Sequence, residues 1–451
     1  MAHTDQKLIQ HLQQWQAQCC PPEAKRYLVA FSGGLDSSVL LHALKVVADR
    51  PILAVYVDHG LHADSRQWLL HCQQQCAKLQ LGFQALSVNV LRQGESLEAA
   101  AREARYAALQ GLMQASDALL TAHHERDQAE TLLLQLMRGA GIAGLAAMPA
   151  ATEFGPGWLL RPLLELPKSA LEQYAQAAAL AWLDDPSNAD TSLDRNYLRN
   201  AVLPELRGRW PALDTVLARS ARHHAEAESL LADLAQTDLA KSQTPAGQLS
   251  IQALLELSPV RRFHALRQWI RAQGCPPPST AQLQRLATDL LVNREDAQPA
   301  FVLPAYEIRR YRDLLYFLKP LAAAPTDVVL NWNVVNRLEL PPDCGWLSAV
   351  PAQAGAIGLK PGQFQVRFAQ GGERIKPLGS PHHKRLKHLF QSQGVPPWVR
   401  MRTPLIYHGQ ELVAVADAWL NADYLHNNTD MAWRPQWSGG PPGWPIRSSA
   451  A

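Results

Sequence analysis

From residue 25 to about 165, short apolar or β-branched runs alternate with stretches whose apolar positions recur at helical spacing. The runs predict strands over Arg26–Phe31, Ile52–Val57, Phe83–Val88, Ala118–Ala122 and Trp158–Arg161. The amphipathic stretches between them predict helices near Ser37–Val47, Arg66–Leu79, Leu97–Met113 and Gln128–Met137. Strand–helix alternation of this length specifies a parallel sheet with helices on both faces. Ligands of such sheets sit beyond the carboxyl ends of the strands. Three short segments fall at those ends: Ser32–Ser37, Asp58-His59-Gly60 and His123-His124.

The pattern then changes. A loop is marked by Asp185-Pro186-Ser187-Asn188, followed by a short helix over Arg195–Val202 that should stop near Pro204. A long Ala/Leu-rich helix follows from about Pro211 to Ala240, with further helices near Ile251–Leu257, Arg261–Ala272 and Thr280–Leu291. Alternation in Phe301–Leu303 and Leu314–Leu318 predicts a terminal hairpin. Beyond an Ala/Pro linker, residues from about Val328 to Leu420 read as short strands. The Trp/Pro/Gly-rich tail from Trp433 has no periodicity and reads as disordered. The fold class is therefore α/β: a parallel-sheet nucleotide-binding domain (1–210), a mainly helical domain (211–321), a small α+β C-terminal domain (327–430) and a tail (431–451).

At 451 residues the chain is too long for a single ordinary core. Its net charge of +3 makes any nucleic-acid footprint local rather than global. It has no apolar run of about eighteen residues, and the start MAHTDQKLIQHLQQW is too polar for a secretory signal, so no membrane partner is expected and the cytosol is the expected location. Cys19, Cys20, Cys72, Cys76, Cys275 and Cys344 show neither CxxC nor framework spacing.

The chemistry starts at SGGLDSS. Gly33 and Gly34 let the backbone turn tightly and bring its N–H groups to an anion, Ser37 and Ser38 add hydroxyl donors, and the helix that follows adds unpaired amides. Asp36 suits such a site if Mg²⁺ lies between it and the phosphates. A Walker loop is absent. Asp58 and His59 lie where a base and ribose would rest. Glu98, Arg102, Arg105 and Tyr106 share one helix face, as do Asp127 and Glu130, which can hold a cation or accept an amine. In the C-terminal region, Arg367, Arg374, Lys376, Lys384, Arg385, Lys387, Arg400 and Arg402 accompany one acid, Glu373, between Pro361 and Gln410. Trp398 and Phe390 either stack on RNA there or fill a core.

The SGGxDS turn resembles the pyrophosphate-binding loop of PP-loop enzymes, which cleave ATP between its α- and β-phosphates. SGGLDSS, DHGL, SLEAAAREARY, AHHERDQAETLLLQLMRGAGIAGLAAM and DDPSNADTSLDRNYLRNAVLP stand in the order and spacing of tRNA(Ile)-lysidine synthetases. The later GGERIKPLG and HKRLKHLFQSQGVPPWVRMRTPLI are similar to that family's last domain. One departure is His62, where many members carry Arg.

The resemblance implies a two-step ligation with ATP and Mg²⁺. The C2 oxygen of the wobble cytidine in a CAU-anticodon isoleucine tRNA is adenylated; the ε-amine of free L-lysine then displaces AMP, and AUG decoding becomes AUA decoding. It implies that Ser32, Gly33, Gly34, Leu35, Asp36, Ser37, Asp58 and His59 hold nucleotide, with Asp36 on the metal. Arg105 would balance charge on the α-phosphate or the cytidine oxygen, and Asp127 and Glu130 would take the cationic group of lysine. His124 and Glu130 both stand as bases for that amine. Arg195, Asn196 and Arg199, with Arg374, Lys376, Lys384, Arg385, Lys387 and Arg400, would contact tRNA. A homodimer is compatible with this reading.

Three rival readings remain. A tRNA thiolase acting on cytidine would want paired cysteines for sulfur or an iron–sulfur cluster, and none is so placed. A small-metabolite synthetase would not need the basic terminal domain. A non-catalytic tRNA-binding protein would not need SGGLDSS together with Asp127 and Glu130.

Overall fold

The computed structural model describes residues 2–60, 64–89, 97–276, 278–292, 299–351, 358–360, 362–424 and 432–444; His62 and the side chain of Glu98 lie outside the described residues. Two compact units divide the chain, Met1–Leu231 and Ala232–Ala451.

In the first unit the chain runs α1 (Ala2–Cys19), β1 (Arg26–Ala30), α2 (Leu35–Val47), β2 (Ile52–Asp58), α3 (Ser65–Lys78), β3 (Gly82–Ser87), α4 (Leu97–Leu112) and β4 (Asp117–Leu120). It continues through α5 (Glu125–Met137), α6 (Ile142–Leu145), β5 (Ala151–Phe154), β6 (Gly157–Leu160) and α7 (Lys168–Ala177). The sheet order is β3-β2-β1-β4-β6-β5. All neighbours pair in parallel except the β5–β6 edge hairpin. Strand periodicity sorts the core into two layers. Tyr27, Val29, Ala54, Tyr56, Ala118 and Leu120 pack with α1, α2 and α7, while Leu28, Val55 and Leu119 pack on the opposite face with α4. The carboxyl ends of β1, β2, β4 and β6 are thereby set side by side.

The segment after Asp185 departs from expectation. Helix α8 (Asp194–Tyr197) passes through a π turn (Leu198–Val202) into α9 (Leu203–Arg209), so Pro204 does not stop the helix. Proline lacks an N–H and crowds the carbonyl four residues back; the widened turn, closed by Leu203 N to Leu198 O, relieves that clash. Helix α10 follows (Leu213–Ser242).

The second unit contains β7 (Leu249–Ser250), α11 (Ile251–Glu256), α12 (Pro259–Arg271), α13 (Thr280–Leu286), β8 (Ala300–Leu303), β9 (Tyr306–Tyr311) and β10 (Leu314–Leu318). The expected hairpin is a four-stranded sheet, β7-β10-β9-β8, in which β9 intervenes between the two foreseen strands. Its sequence, YEIRRY, hides that strand because Glu307 and Arg310 are buried charged residues at positions where alternation suggests none.

Strands β11 (Leu330–Asn333), β12 (Leu338–Glu339), β13 (Trp346–Pro351), β14 (Gln363–Arg367), β15 (Arg374–Ile375) and β16 (Lys384–Arg385) follow. Helices α14 (Leu386–Ser392) and α15 (Pro397–Arg400), then β17 (Leu405–His408), β18 (Glu411–Val415), β19 (Trp419–Leu420) and β20 (Trp433–Ser438), complete the unit. Their shared core also takes Tyr316 and Leu318 from β10.

The tail corrects the sequence reading. Trp433–Ser438 is a strand paired residue for residue with β13, and Trp437 is 7% exposed, its indole donating to Cys344 O at 2.7 Å. As the edge of a three-stranded sheet, β20 tolerates Pro435. Gly345, at φ +71°, lets the chains meet: a Cβ there would lie 2.0 Å from Ser438 O. Composition looked disordered because the prolines and glycines serve edge placement and close approach.

Candidate active site

Strand β1 ends at Ala30, and the turn Ser32-Gly33-Gly34 delivers the chain into α2. Gly33 has φ +80°, and a Cβ would stand 2.8 Å from Cys72 Sγ and 3.2 Å from the Leu183 side chain. Its carbonyl accepts from Leu183 N at 2.9 Å, which pins the turn from behind. The hydroxyls of Ser32 and Ser37 lie 3.1 Å apart, and Ser37 donates to Gly34 O at 3.1 Å. The first intrahelical bond is Ser38 N to Gly34 O, so the amides of Leu35, Asp36 and Ser37 precede it, at the positive end of the helix dipole. This is a built anion cradle. Cys72 is packing behind it: burial pushes its thiol up to about 12.

Asp36 begins a chain of charges that crosses four elements. Lys168, the first residue of α7, pairs with one carboxylate oxygen, and His124 Nε2 is 3.5 Å from the other. Burial raises the Asp36 pKa, but the His124 and Lys168 interactions outweigh it and hold the group at about 2. His124 Nδ1 lies 3.5 Å from Asp127, whose carboxylate also accepts the His124 backbone N–H at 2.9 Å and so caps α5. Asp127 is thus held below the usual carboxylate range: burial opposes this, and His124, His123 and Arg199 prevail.

Glu130, one turn on and fully buried, receives Arg199 Nε and Nη2, both at 2.7 Å, and Arg195 stands 3.6 Å away. Arg199 also reaches Asp127 at 3.3 Å, and Arg195 donates to Thr131 Oγ1 at 2.8 Å. The order is Lys168, Asp36, His124, Asp127, Arg199, Glu130, Arg195, with basic and acidic side chains alternating along it.

That order bears on three expectations. Arg195 and Arg199 are carboxylate partners. Glu130 has both oxygens taken by Arg199. Asn196 is buried and donates to Ser187 O at 2.9 Å and Asp190 O at 3.0 Å, so it anchors the DPSN loop.

Lys168 escaped the sequence reading, although a signal existed. A lysine in the first turn of a helix opposes the macrodipole, and a residue that breaks a local rule is a candidate for function.

At the end of β2, Asp58 accepts Gly60 N at 2.8 Å in a local turn, with Gly60 at φ +63°. His59 beside it is held below its ordinary pKa by burial and by Arg105. Arg102 and Arg105 of α4 lie 5.1 and 5.8 Å from the centre of the Tyr106 ring.

In the second unit the basic residues separate. Arg374, Lys384, Arg385 and Lys387 are exposed around the two-stranded β15–β16 ladder. Lys376 is tied to Asp423 at 2.6 Å. Arg400, half-buried, braces the chain: it donates to Val395 O at 2.7 Å and Tyr311 OH at 2.9 Å. Arg402 is buried against Trp398 O. Phe390 and Trp398 fill the core.

A glycine-turned anion cradle at the end of the first strand, in a parallel sheet ordered 3-2-1-4, defines a PP-loop nucleotide-binding protein. The PP-loop domain model accordingly matches residues 2–206, and the TilS substrate binding and TilS substrate C-terminal domain models match 249–316 and 364–437. Similar proteins include the tRNA(Ile)-lysidine synthases of Coxiella burnetii, 41% identical over 90% of this chain and 92% of the relative, and of Xanthomonas campestris, 43% identical over 92% and 95%. That of Serratia proteamaculans is 44% identical over 92% and 95%. The chain belongs to the tRNA(Ile)-lysidine synthase family, and is an ATP-dependent ligase of tRNA modification. None of its described helices is long and apolar enough to cross a membrane.

Proposed function

We propose that the protein joins lysine to C2 of the wobble cytidine in a CAU-anticodon isoleucine tRNA, through an adenylated cytidine, in the cytoplasm. The observation that carries this is the charge chain from the anion cradle to the Asp127–Glu130 pair, which joins a place for pyrophosphate to a place for an amine. In the first step the amides of Leu35 to Ser37, the hydroxyls of Ser32 and Ser37, and Lys168 stabilise the departing pyrophosphate. Arg105 balances charge on the α-phosphate or the cytidine oxygen. Asp58 and His59 border the nucleoside.

A Mg²⁺ ion fits the donor set. Such ions take one or two carboxylates plus phosphate oxygens, and Asp36 supplies an ionised carboxylate beside the cradle. Asp36 would hold the ion, which when bound supplies Lewis-acid neutralisation of phosphate charge.

In the second step Asp127, whose contact with Arg199 is longer than that of Glu130, receives the cationic group of lysine. A lysine ammonium must lose a proton before it attacks. With both Glu130 oxygens on Arg199, His124 is the base we assign. The exposed Arg374, Lys384, Arg385 and Lys387 contact tRNA phosphates.

Labelled lysine incubated with total unmodified tRNA, ATP and Mg²⁺, followed by nucleoside mass analysis, tests the reading. The expected result is a lysine adduct on one cytidine of a CAU-anticodon isoleucine tRNA. Formation of AMP without lysine transfer would keep adenylation and replace the nucleophile; neither activity from folded protein would overturn the reading.

A further inference from the structure

The turn between α9 and α10 shows five consecutive exposed residues, Gly208 to Ala212, with Trp210 at its centre, 56% exposed. A Cβ at Gly208 would meet nothing within 4 Å, so open space lies against the turn. A segment that buries so little is ordinarily loose, yet this one is braced. Arg207, before the turn, donates Nε and Nη2 to the two carboxylate oxygens of Asp214 after it, each at 2.9 Å. Inside that clasp Trp210 N donates to Leu206 O at 2.8 Å, and Leu213 N donates to Trp210 O at 3.0 Å.

A second arginine fixes where the turn stands. Arg126, in the first turn of α5, brings its Nε to 3.7 Å from Asp214. It directly precedes Asp127, the carboxylate assigned to the amine, so the clasp is tied to the end of α5 that carries the site. Arg209, next to Trp210, is exposed and has no ion-pair or hydrogen-bond partner among the described residues. Glu205, four residues back on α9, makes no ion pair with it.

A lone exposed apolar side chain is ordinary. An indole displayed on a braced turn, beside an unpaired guanidinium, is equipped for one nucleotide: the π-face stacks on a base and the guanidinium takes the phosphate. Chemistry at C2 of a cytidine draws that base out of its stack and leaves its neighbour without a stacking partner. We propose that Trp210 stacks on the anticodon base beside the wobble cytidine and that Arg209 holds the phosphate of that nucleotide. This rests on the lysine-ligase reading, which makes the anticodon loop the substrate.

Full-length enzyme is tested with isoleucine tRNA carrying 2-aminopurine in place of the anticodon adenine, and with unlabelled tRNA, ATP, Mg²⁺ and lysine. Binding should change the 2-aminopurine fluorescence; Trp210→Phe should keep most of that change and Trp210→Leu should lose it. Trp210→Leu should raise the KM for tRNA about tenfold, within the range of base–aromatic stacking, and leave the KM for ATP and for lysine unchanged. Arg209→Gln should reduce the log–log salt slope of tRNA binding by about one. Equal behaviour of the Phe and Leu variants would overturn the inference, because a merely apolar contact does not need a ring. So would a Trp210→Leu enzyme with the wild-type KM for tRNA, or an unchanged salt slope in Arg209→Gln. Loss of self-association in Trp210→Leu, with tRNA binding intact, would give the turn to a second copy of the chain and overturn it as well. A wild-type enzyme that binds the tRNA with the fluorescence change but transfers no lysine would refute the ligase reading alone.

Discussion

The Glu130–Arg199 pair separates a structural counter-ion from an RNA contact, and its two halves should respond unequally. Glu130 is fully buried, whereas the Arg199 side chain is 31% exposed. Arg199→Gln leaves a buried carboxylate with only Arg195, 3.6 Å away, for compensation. Breaking a buried pair from one side costs about 3–5 kcal/mol, and the nearby Arg195 puts this case at the lower end, about 3 kcal/mol. Glu130→Gln leaves Arg199, which water reaches, so solvent screening lowers that cost to about 1–2 kcal/mol. The double variant removes both charges and should cost less than the sum, with a coupling of about 2 kcal/mol. Amide hydrogen exchange in α5 and α8 reads these values locally; about 3 kcal/mol corresponds to roughly a hundredfold faster exchange. The reasoning fails if Arg199→Gln leaves those amides within about twofold of wild type. It fails more decisively if that variant also flattens the salt dependence of tRNA binding by about one charge, as a phosphate contact would.

Five further outcomes are expected. Lys168→Met should cut tRNA-dependent pyrophosphate release by about 10²–10³ with tRNA affinity unchanged. The folded-state pKa of Asp36 is depressed, so its stabilising contribution is present above its ordinary pKa and lost as pH falls through about 2; in Lys168→Met that loss moves to higher pH, visible in acid unfolding. His124→Gln should retain more of pyrophosphate release than of lysine transfer, and rapid-quench assays of the two steps check the split. Replacing Lys384, Arg385 and Lys387 by Ala should weaken tRNA binding and reduce its log–log salt slope by up to about three; an unchanged slope removes them from the interface. Deleting residues 432–451 strips β20 from β13 and uncovers the Trp437 site, so tryptophan fluorescence should report a loosened second unit.

The sheet was legible because strand periodicity and core sorting are the same fact: Tyr27, Val29 and Phe31 alternate with Leu28 in sequence and face opposite layers in space. The anion cradle was legible because its chemistry is local, contained between Ser32 and Ser37. Lys168 and the partners of Glu130 were not, because pairing across 69 and 132 residues leaves no trace in either segment read alone. Sequence spacing placed Asp127 and Glu130 together on one face of α5 but gave no sign that Arg199 would meet them there. The basic C-terminal stretch shows the same limit. Arg400 and Lys384 carry the same charge, yet one braces a helix against Tyr311 and the other faces solvent.

In the proposed reaction, the position of His124 ties the two halves to one side chain. Its Nε2 faces Asp36 at the pyrophosphate end and its Nδ1 faces Asp127 at the amine end, each at 3.5 Å. One imidazole therefore stands between the two carboxylates, so replacing it disturbs both ends of the site at once, while Asp36 keeps Lys168 and Asp127 keeps Arg199. A variant at Lys168 or Arg199 touches one end only, and comparing the three separates a shared role of the ring from two independent ion pairs.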